Sequence, residues 1–163
     1  MFSYMEHPPD PRIHGRGAQS AALSPRFGLA EQAADGDWRD YVERLDGPPA
    51  KLRTQVTEEH PRSIVTFNNS PDLPFDRSIN AYRGCEHGCI YCYARPTHAW
   101  HDLSPGLDFE TKLFAKPDAA LILRETLAKP KYRPAPIALG THTDPYQPIE
   151  RRYRITRQVL EVC

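Results

Sequence analysis

The sequence predicts an α/β fold built of parallel βα units, preceded by a proline-rich, partly disordered leader. Three observations carry that reading. Two short β-branched and aromatic runs, 63–67 and 78–82, lead into a loop with three cysteines inside eight residues. From Asp108 onward a strand pattern and a helix pattern alternate twice, and that order at that spacing implies parallel βα units. Before position 60, Pro8, Pro9, Pro11, Pro25, Pro48 and Pro49, with Gly15, Gly17, Gly28, Gly36 and Gly47, interrupt every run. The division is therefore a leader at 1–60 and a βα portion at 61–163.

In chain order, Trp38, Tyr41, Val42 and Leu45 recur at helical spacing until Gly47-Pro48-Pro49, so one short helix is expected within the leader. A strand follows at 63–67, bounded by Pro61 and by Asn68-Asn69-Ser70-Pro71. A second strand at 78–82 runs directly into the cysteine loop. Strand 108–115 would place Phe109, Thr111, Leu113 and Ala115 on one face and Glu110, Lys112 and Phe114 on the other. Pro117 and Asp118 suit a helix start; Leu121, Leu123 and Leu127 continue it to Lys129-Pro130. A buried-strand run at 137–140 and a polar loop at 141–148 precede a last helix with Ile155, Val159, Val162 and Cys163 on its apolar stripe. Cys163 there reads as a small buried hydrophobe. No stop signal follows it, so the chain is expected to be a truncated front portion of a longer protein.

Composition narrows the function classes. A chain of 163 residues can hold one domain with a core, yet 17 prolines and a mean hydropathy of −0.64 imply a folded and a poorly ordered portion. Lys+Arg and Asp+Glu are both 21, so no basic field points to a nucleic-acid partner. No apolar run reaches the length of a membrane span, and the N-terminus lacks the basic and apolar regions of a signal peptide. The expected location is cytoplasmic, a reducing compartment that argues against reading the four cysteines as two disulfides.

The chemistry lies in Gly84-Cys85-Glu86-His87-Gly88-Cys89-Ile90-Tyr91-Cys92-Tyr93-Ala94. Thiolates are soft, charged ligands, and three on one short loop favour zinc or an iron–sulfur cluster. Cys85-x3-Cys89-x2-Cys92 offers three ligands with no fourth cysteine nearby, which suits a cubane cluster with one iron open. Gly84 and Gly88 supply the backbone freedom such a loop needs. The alternative is structural zinc completed by His87, His98 or His101, making the chain a non-catalytic binding module.

This motif, with an aromatic residue directly before its last cysteine and a strand before the loop, resembles the radical S-adenosylmethionine (SAM) superfamily. Tyr91-Cys92-Tyr93-Ala94 and the stretch from Gly140 to Glu150 are similar to its spore-photoproduct-lyase-like branch of bacterial proteins; the likeness runs from Ile64 to the end, with weaker likeness at Arg16-Gly17-Ala18 and Arg26-Phe27. The resemblance implies that 61–163 is the N-terminal portion, the front part of a partial βα barrel of radical SAM type, in which Cys85, Cys89 and Cys92 bind a [4Fe-4S] cluster. S-adenosylmethionine on the open iron would be cleaved reductively to a 5'-deoxyadenosyl radical, with an electron donor such as flavodoxin or ferredoxin. Tyr91, helped by Tyr93, would contact the adenine of SAM. Photoproduct lyases carry a hydrogen-donor cysteine where this chain has Thr141 and His142, so the resemblance does not extend to DNA repair. A truncated chain could also be inactive while its parent is an enzyme.

Further candidates are weaker. Thr143 and Asp144, on the same rim as the cysteines, could bond the ribose or methionine part of SAM, or Asp144-Pro145 could merely turn the chain. Glu110 and Lys112 could face the barrel interior and hold the SAM amine or carboxylate, or be solvated. His87, His98, His101 and His142 could be ligands or proton donors, although isolated loop histidines are mostly solvent-exposed. Arg151, Arg152, Arg154 and Arg157 cluster near the last helix, as a phosphate contact or as a solvated face.

Overall fold

The computed structural model describes residues 15–17 and 52–163. Within them run strands β1 (Gln55–Glu58), β2 (Val65–Phe67), β3 (Arg77–Ile79) and β4 (Tyr82–Arg83), then a 3₁₀ helix (Arg95–His101). Helix α1 (Leu107–Thr111), β5 (Lys112–Ala115), α2 (Ala119–Leu127), β6 (Ala138–Leu139), α3 (Glu150–Tyr153) and α4 (Ile155–Val162) complete the order. Strands and helices alternate after Leu107, and the described residues form a mixed α/β fold with small sheets and no closed barrel. The helix expected around Trp38 and Leu45 lies outside the described residues.

Two three-stranded sheets form, ordered β1-β5-β4 and β2-β3-β6. β1 runs parallel to β5, with Val56 opposite Leu113, and β4 runs antiparallel to β5, with Tyr82 opposite Ala115. β2 and β3 are antiparallel, while β3 and β6 are parallel, with Ile79 opposite Leu139. β1 falls inside the stretch assigned to the leader, so the ordered part begins before position 61.

The strand expected at 78–82 is two strands in different sheets, and Asn80 explains the break. Its side-chain amide donates to Thr141 Oγ1 (3.0 Å), its Oδ1 accepts from the His142 amide (2.8 Å), and its carbonyl accepts from Lys116 Nζ (2.9 Å). These bonds anchor the chain where it leaves one sheet for the other.

The strand expected over 108–115 is also corrected: 107–111 is helical and only the second half is strand. Local polar bonds decide it. The Ser104 amide donates to Asp108 Oδ2 (3.0 Å), Thr111 Oγ1 donates to the Leu107 carbonyl (2.8 Å), and Lys112 Nζ pairs with Asp108 Oδ1 one turn earlier (3.0 Å). Phe109 and its neighbour Glu110 are consequently both buried, which a strand with one solvated face would not allow.

The last helix is split by Arg154, whose φ of 52° is left-handed. Glu150 accepts from the amides of Thr156 and Arg157 (both 3.1 Å), satisfying the exposed donors at the start of α4. Leu123 of α2 joins Ile155 and Val159 of α4 in a core with Ile64, Val65, Ile79, Tyr82 and Ala115. Cys163 is exposed beyond the end of α4, against the expectation of burial on its stripe. No helix among the described residues is long and apolar enough to cross a membrane.

Candidate metal centre

β4 delivers the chain into the cysteine loop at Gly84, which turns with φ of 73°. A Cβ there would stand 2.6 Å from Leu113 Cδ2, 2.8 Å from the Phe109 carbonyl and 2.9 Å from His98 Cε1, so glycine is required both by conformation and by space. The Cys85 amide donates to the Phe109 carbonyl (2.9 Å), tying the loop to α1.

Two buried side chains from the 141–148 loop grip the next residues. Thr143 Oγ1 (2.7 Å) and Gln147 Nε2 (3.1 Å) donate to the Gly84 carbonyl, Gln147 Nε2 also donates to Thr143 Oγ1 (2.9 Å), and Gln147 Oε1 accepts from the Glu86 amide (3.2 Å). Thr143 is thus engaged with the loop backbone. Asp144 accepts from the Tyr146 amide (2.7 Å) in a turn and faces His87 Nε2 at 3.5 Å, both side chains being well exposed.

The middle of the loop is held by Arg95. Its Nε and Nη2 donate to the Cys89 carbonyl (3.2 and 3.0 Å), its Nη2 pairs with Glu110 Oε1 (2.6 Å), and its guanidinium lies 5.4 Å from the Phe109 ring centroid. Glu110 is fully buried. It therefore serves the cysteine loop, whereas Lys112 is exposed and paired with Asp108. Gly17, from far upstream, donates its amide to both Glu110 oxygens at 3.2 Å.

Cys85 is buried in a small cluster with Ala94 and Phe109, against which Cys92 packs; Cys89 and Cys92 are partly exposed. Burial pushes the Cys85 thiol above its ordinary pKa, and a bound cation would act in the opposite direction. Three thiols on one glycine-punctuated loop fit a soft metal centre by donor type. Among the described residues, no three His, Cys, Asp or Glu side chains stand together in a metal-holding arrangement.

The histidines separate. His98 is fully buried; its Nε2 faces the Lys112 carbonyl at 2.9 Å, its ring meets Phe109 and Phe114 edge-on, and burial lowers its pKa. His101 lies against Phe114, and His142 is exposed. Tyr91 is 86% exposed, and Tyr93 donates its hydroxyl to the Thr141 carbonyl. Arg151, Arg152, Arg154 and Arg157 are exposed; Arg157 pairs with Glu161 (3.0 Å), and Arg152 lies over Tyr153.

The chain is similar to Uncharacterized protein Rv2578c of Mycobacterium tuberculosis (strain ATCC 25618 / H37Rv) and to Uncharacterized protein Mb2609c of Mycobacterium bovis. Each is 49% identical over 92 residues, covering 56% of this chain and 27% of the relative. Uncharacterized protein MJ0683 of Methanocaldococcus jannaschii is 30% identical over 86 residues, covering 51% of this chain and 29% of the relative. The chain thus spans less than a third of the length of these relatives. Neither a family model nor a solved structure matches it.

Sequence reasoning singled out the three cysteines, both loop tyrosines, Thr143 and Glu110 as candidates, but not Gln147 or Arg95. Gln147 and Arg95 carry no motif; Gln147 acts on Glu86, which only the fold brings near, and Arg95 reaches back along the chain to Cys89. A weak signal existed for the upstream contact in the likeness at Arg16-Gly17-Ala18.

Proposed function

We propose that this chain is the front portion of a radical SAM enzyme, with Cys85, Cys89 and Cys92 as ligands of a [4Fe-4S] cluster. The observation that carries the reading is one loop bearing three thiols in Cys-x3-Cys-x2-Cys spacing, with its backbone gripped at Gly84 and Glu86 by Thr143 and Gln147 from a distant loop and at Cys89 by Arg95 just after it. Such support from outside the ligand loop is what a metal centre needs to hold its ligands in place. Such a cluster, with S-adenosylmethionine on its open iron, would supply the electron that breaks the sulfonium C–S bond into methionine and a 5'-deoxyadenosyl radical.

The chain's own residues have distinct tasks in this reading. Thr143 and Gln147 hold the first turn of the loop, and Arg95 with Glu110 holds the second. Tyr91 is exposed and free in position to stack on the adenine, while Tyr93 is tethered to Thr141 and joins the cysteine loop to the facing one. Asp144, whose exposed carboxylate lies near His87, would bond a polar group of SAM. A flavodoxin or ferredoxin would serve as electron donor.

Anaerobic reconstitution tests the proposal. We expect a brown protein with about four irons and four sulfides per chain, bleaching on reduction and releasing 5'-deoxyadenosine from SAM. Cys85→Ala, Cys89→Ala and Cys92→Ala should each abolish cluster uptake, and Cys163→Ala should not. Stoichiometric zinc without visible absorption would overturn the proposal and favour a zinc-stabilised binding module. A stable cluster without SAM cleavage would restrict the chain to an inactive portion of its parent enzyme.

A further inference from the structure

Gly17 and Gly88 interlock across 71 positions of sequence. A Cβ built on Gly17 would fall 1.6 Å from the Gly88 carbonyl oxygen and 3.2 Å from Ile90 Cγ2, the two residues that flank Cys89. A Cβ on Gly88, whose φ is 65°, would stand 2.5 Å from Arg16 Cβ and 2.9 Å from the Gly17 amide nitrogen. Two backbones approach this closely only where neither carries a side chain. The approach is fixed by charge as well. The Gly17 amide donates to both oxygens of buried Glu110, and Arg16 Nη1 donates to the Glu110 carbonyl at 3.3 Å. Arg16 Nη2 lies 3.7 Å from Glu86 Oε1, inside the cysteine loop, where Thr54 Oγ1 also donates to that oxygen at 2.6 Å. Glu110 in turn pairs with Arg95, which holds the Cys89 carbonyl.

We propose that Arg16-Gly17 is a clasp on the cysteine loop, a positioning element that fixes the loop backbone around Cys89 and restricts access to its thiol. The physical case rests on Glu110. A carboxylate removed from water must have its lone pairs filled, and among the described residues the donors that fill it are the Arg95 guanidinium and the Gly17 amide. Displacing Gly17 would leave that buried charge half satisfied and loosen the guanidinium that orients Cys89. An upstream segment would therefore belong to the site, although 71 positions separate Gly17 from Gly88.

The clasp is tested on the metal-free, reduced full chain, so its failure is distinct from failure of the cluster reading. In the unaltered chain, we expect hydrogen exchange at the Gly17 amide to be slowed at least about a hundredfold against an unstructured amide. Exchange at the unprotected rate would overturn the proposal. In Gly17→Val, alkylation of Cys89 by iodoacetamide, followed peptide by peptide, should accelerate about tenfold, while exposed Cys163 serves as internal control and keeps its rate. An unchanged Cys89 rate in a folded Gly17→Val chain would also overturn it. The amide measurement uses no substitution and decides the matter even where that variant fails to fold.

Discussion

Gln147 carries more of the cysteine loop than any residue of its own loop. It is fully buried, gives its amide hydrogens to the Gly84 carbonyl and Thr143 Oγ1, and accepts from the Glu86 amide. Gln147→Ala would leave the buried Glu86 amide without its partner and the Gly84 carbonyl held by Thr143 alone, at a cost of about 1–3 kcal/mol for an unpaired buried group. A urea titration should show a lower midpoint with an unchanged slope. An unchanged midpoint would mean that water replaces the amide. Gln147 also shows why the site is only half legible in the sequence. Cys85, Cys89 and Cys92 announce themselves because their chemistry and spacing are local. Gln147 is an ordinary polar residue until folding sets it beside backbone atoms of the loop, and so is Glu110 until folding sets it beside Arg95 and the Gly17 amide. Thr143 reads as a cofactor contact from its place in the 141–148 loop, and its burial against Gly84 gives it a supporting role.

At the scale of elements, the sequence is most legible where apolar spacing and stop signals agree. The helix expected after Pro117 and Asp118 is α2, ending before Pro130, because Leu123 needs burial and proline cannot continue the turn. The pattern misleads at 107–111, where alternating apolar residues imitate a strand and the side chains of Asp108 and Thr111 favour a helical turn instead. It misleads again at Asn80, whose side-chain bonds divide an apparently continuous strand in two. The α2–α4 contact is what holds the second half of the fold. Leu123 is fully buried against Ile155 and Val159, so Leu123→Ala should destabilise by about 2–5 kcal/mol. Leu121, on the same helix, is 55% exposed, and Leu121→Ala should stay within about 0.5 kcal/mol. Thermal unfolding of the pair separates the buried from the exposed face of α2; equal shifts would refute the packing.

For the whole molecule, the junction between the two sheets holds a cation. Lys116 follows β5, is almost fully buried, and donates from Nζ to the Asn80 carbonyl where the chain passes between sheets. Burial, joined by the neighbouring charge of Arg83, lowers its pKa to about 8, and Glu59 works the other way. An unfolded lysine titrates near about 10.4. Between those values the unfolded chain binds more protons than the folded one, so stability must rise with pH across that window. Below about 8 both states are charged and the cost of burying the ammonium is constant. Tyr82 acts in the opposite sense at higher pH: burial and its bond to Glu150 raise its phenol above the ordinary value, so its contribution falls once an unfolded tyrosine ionises near about 10. The two effects separate in a comparison with Lys116→Met, which keeps Tyr82 and removes the amine. Urea midpoints from pH about 7 to about 9.5 should climb for the unaltered chain by the equivalent of about 1–3 kcal/mol and stay flatter for the variant. Parallel curves would show that Lys116 keeps an ordinary pKa and that the sheet junction is open to water.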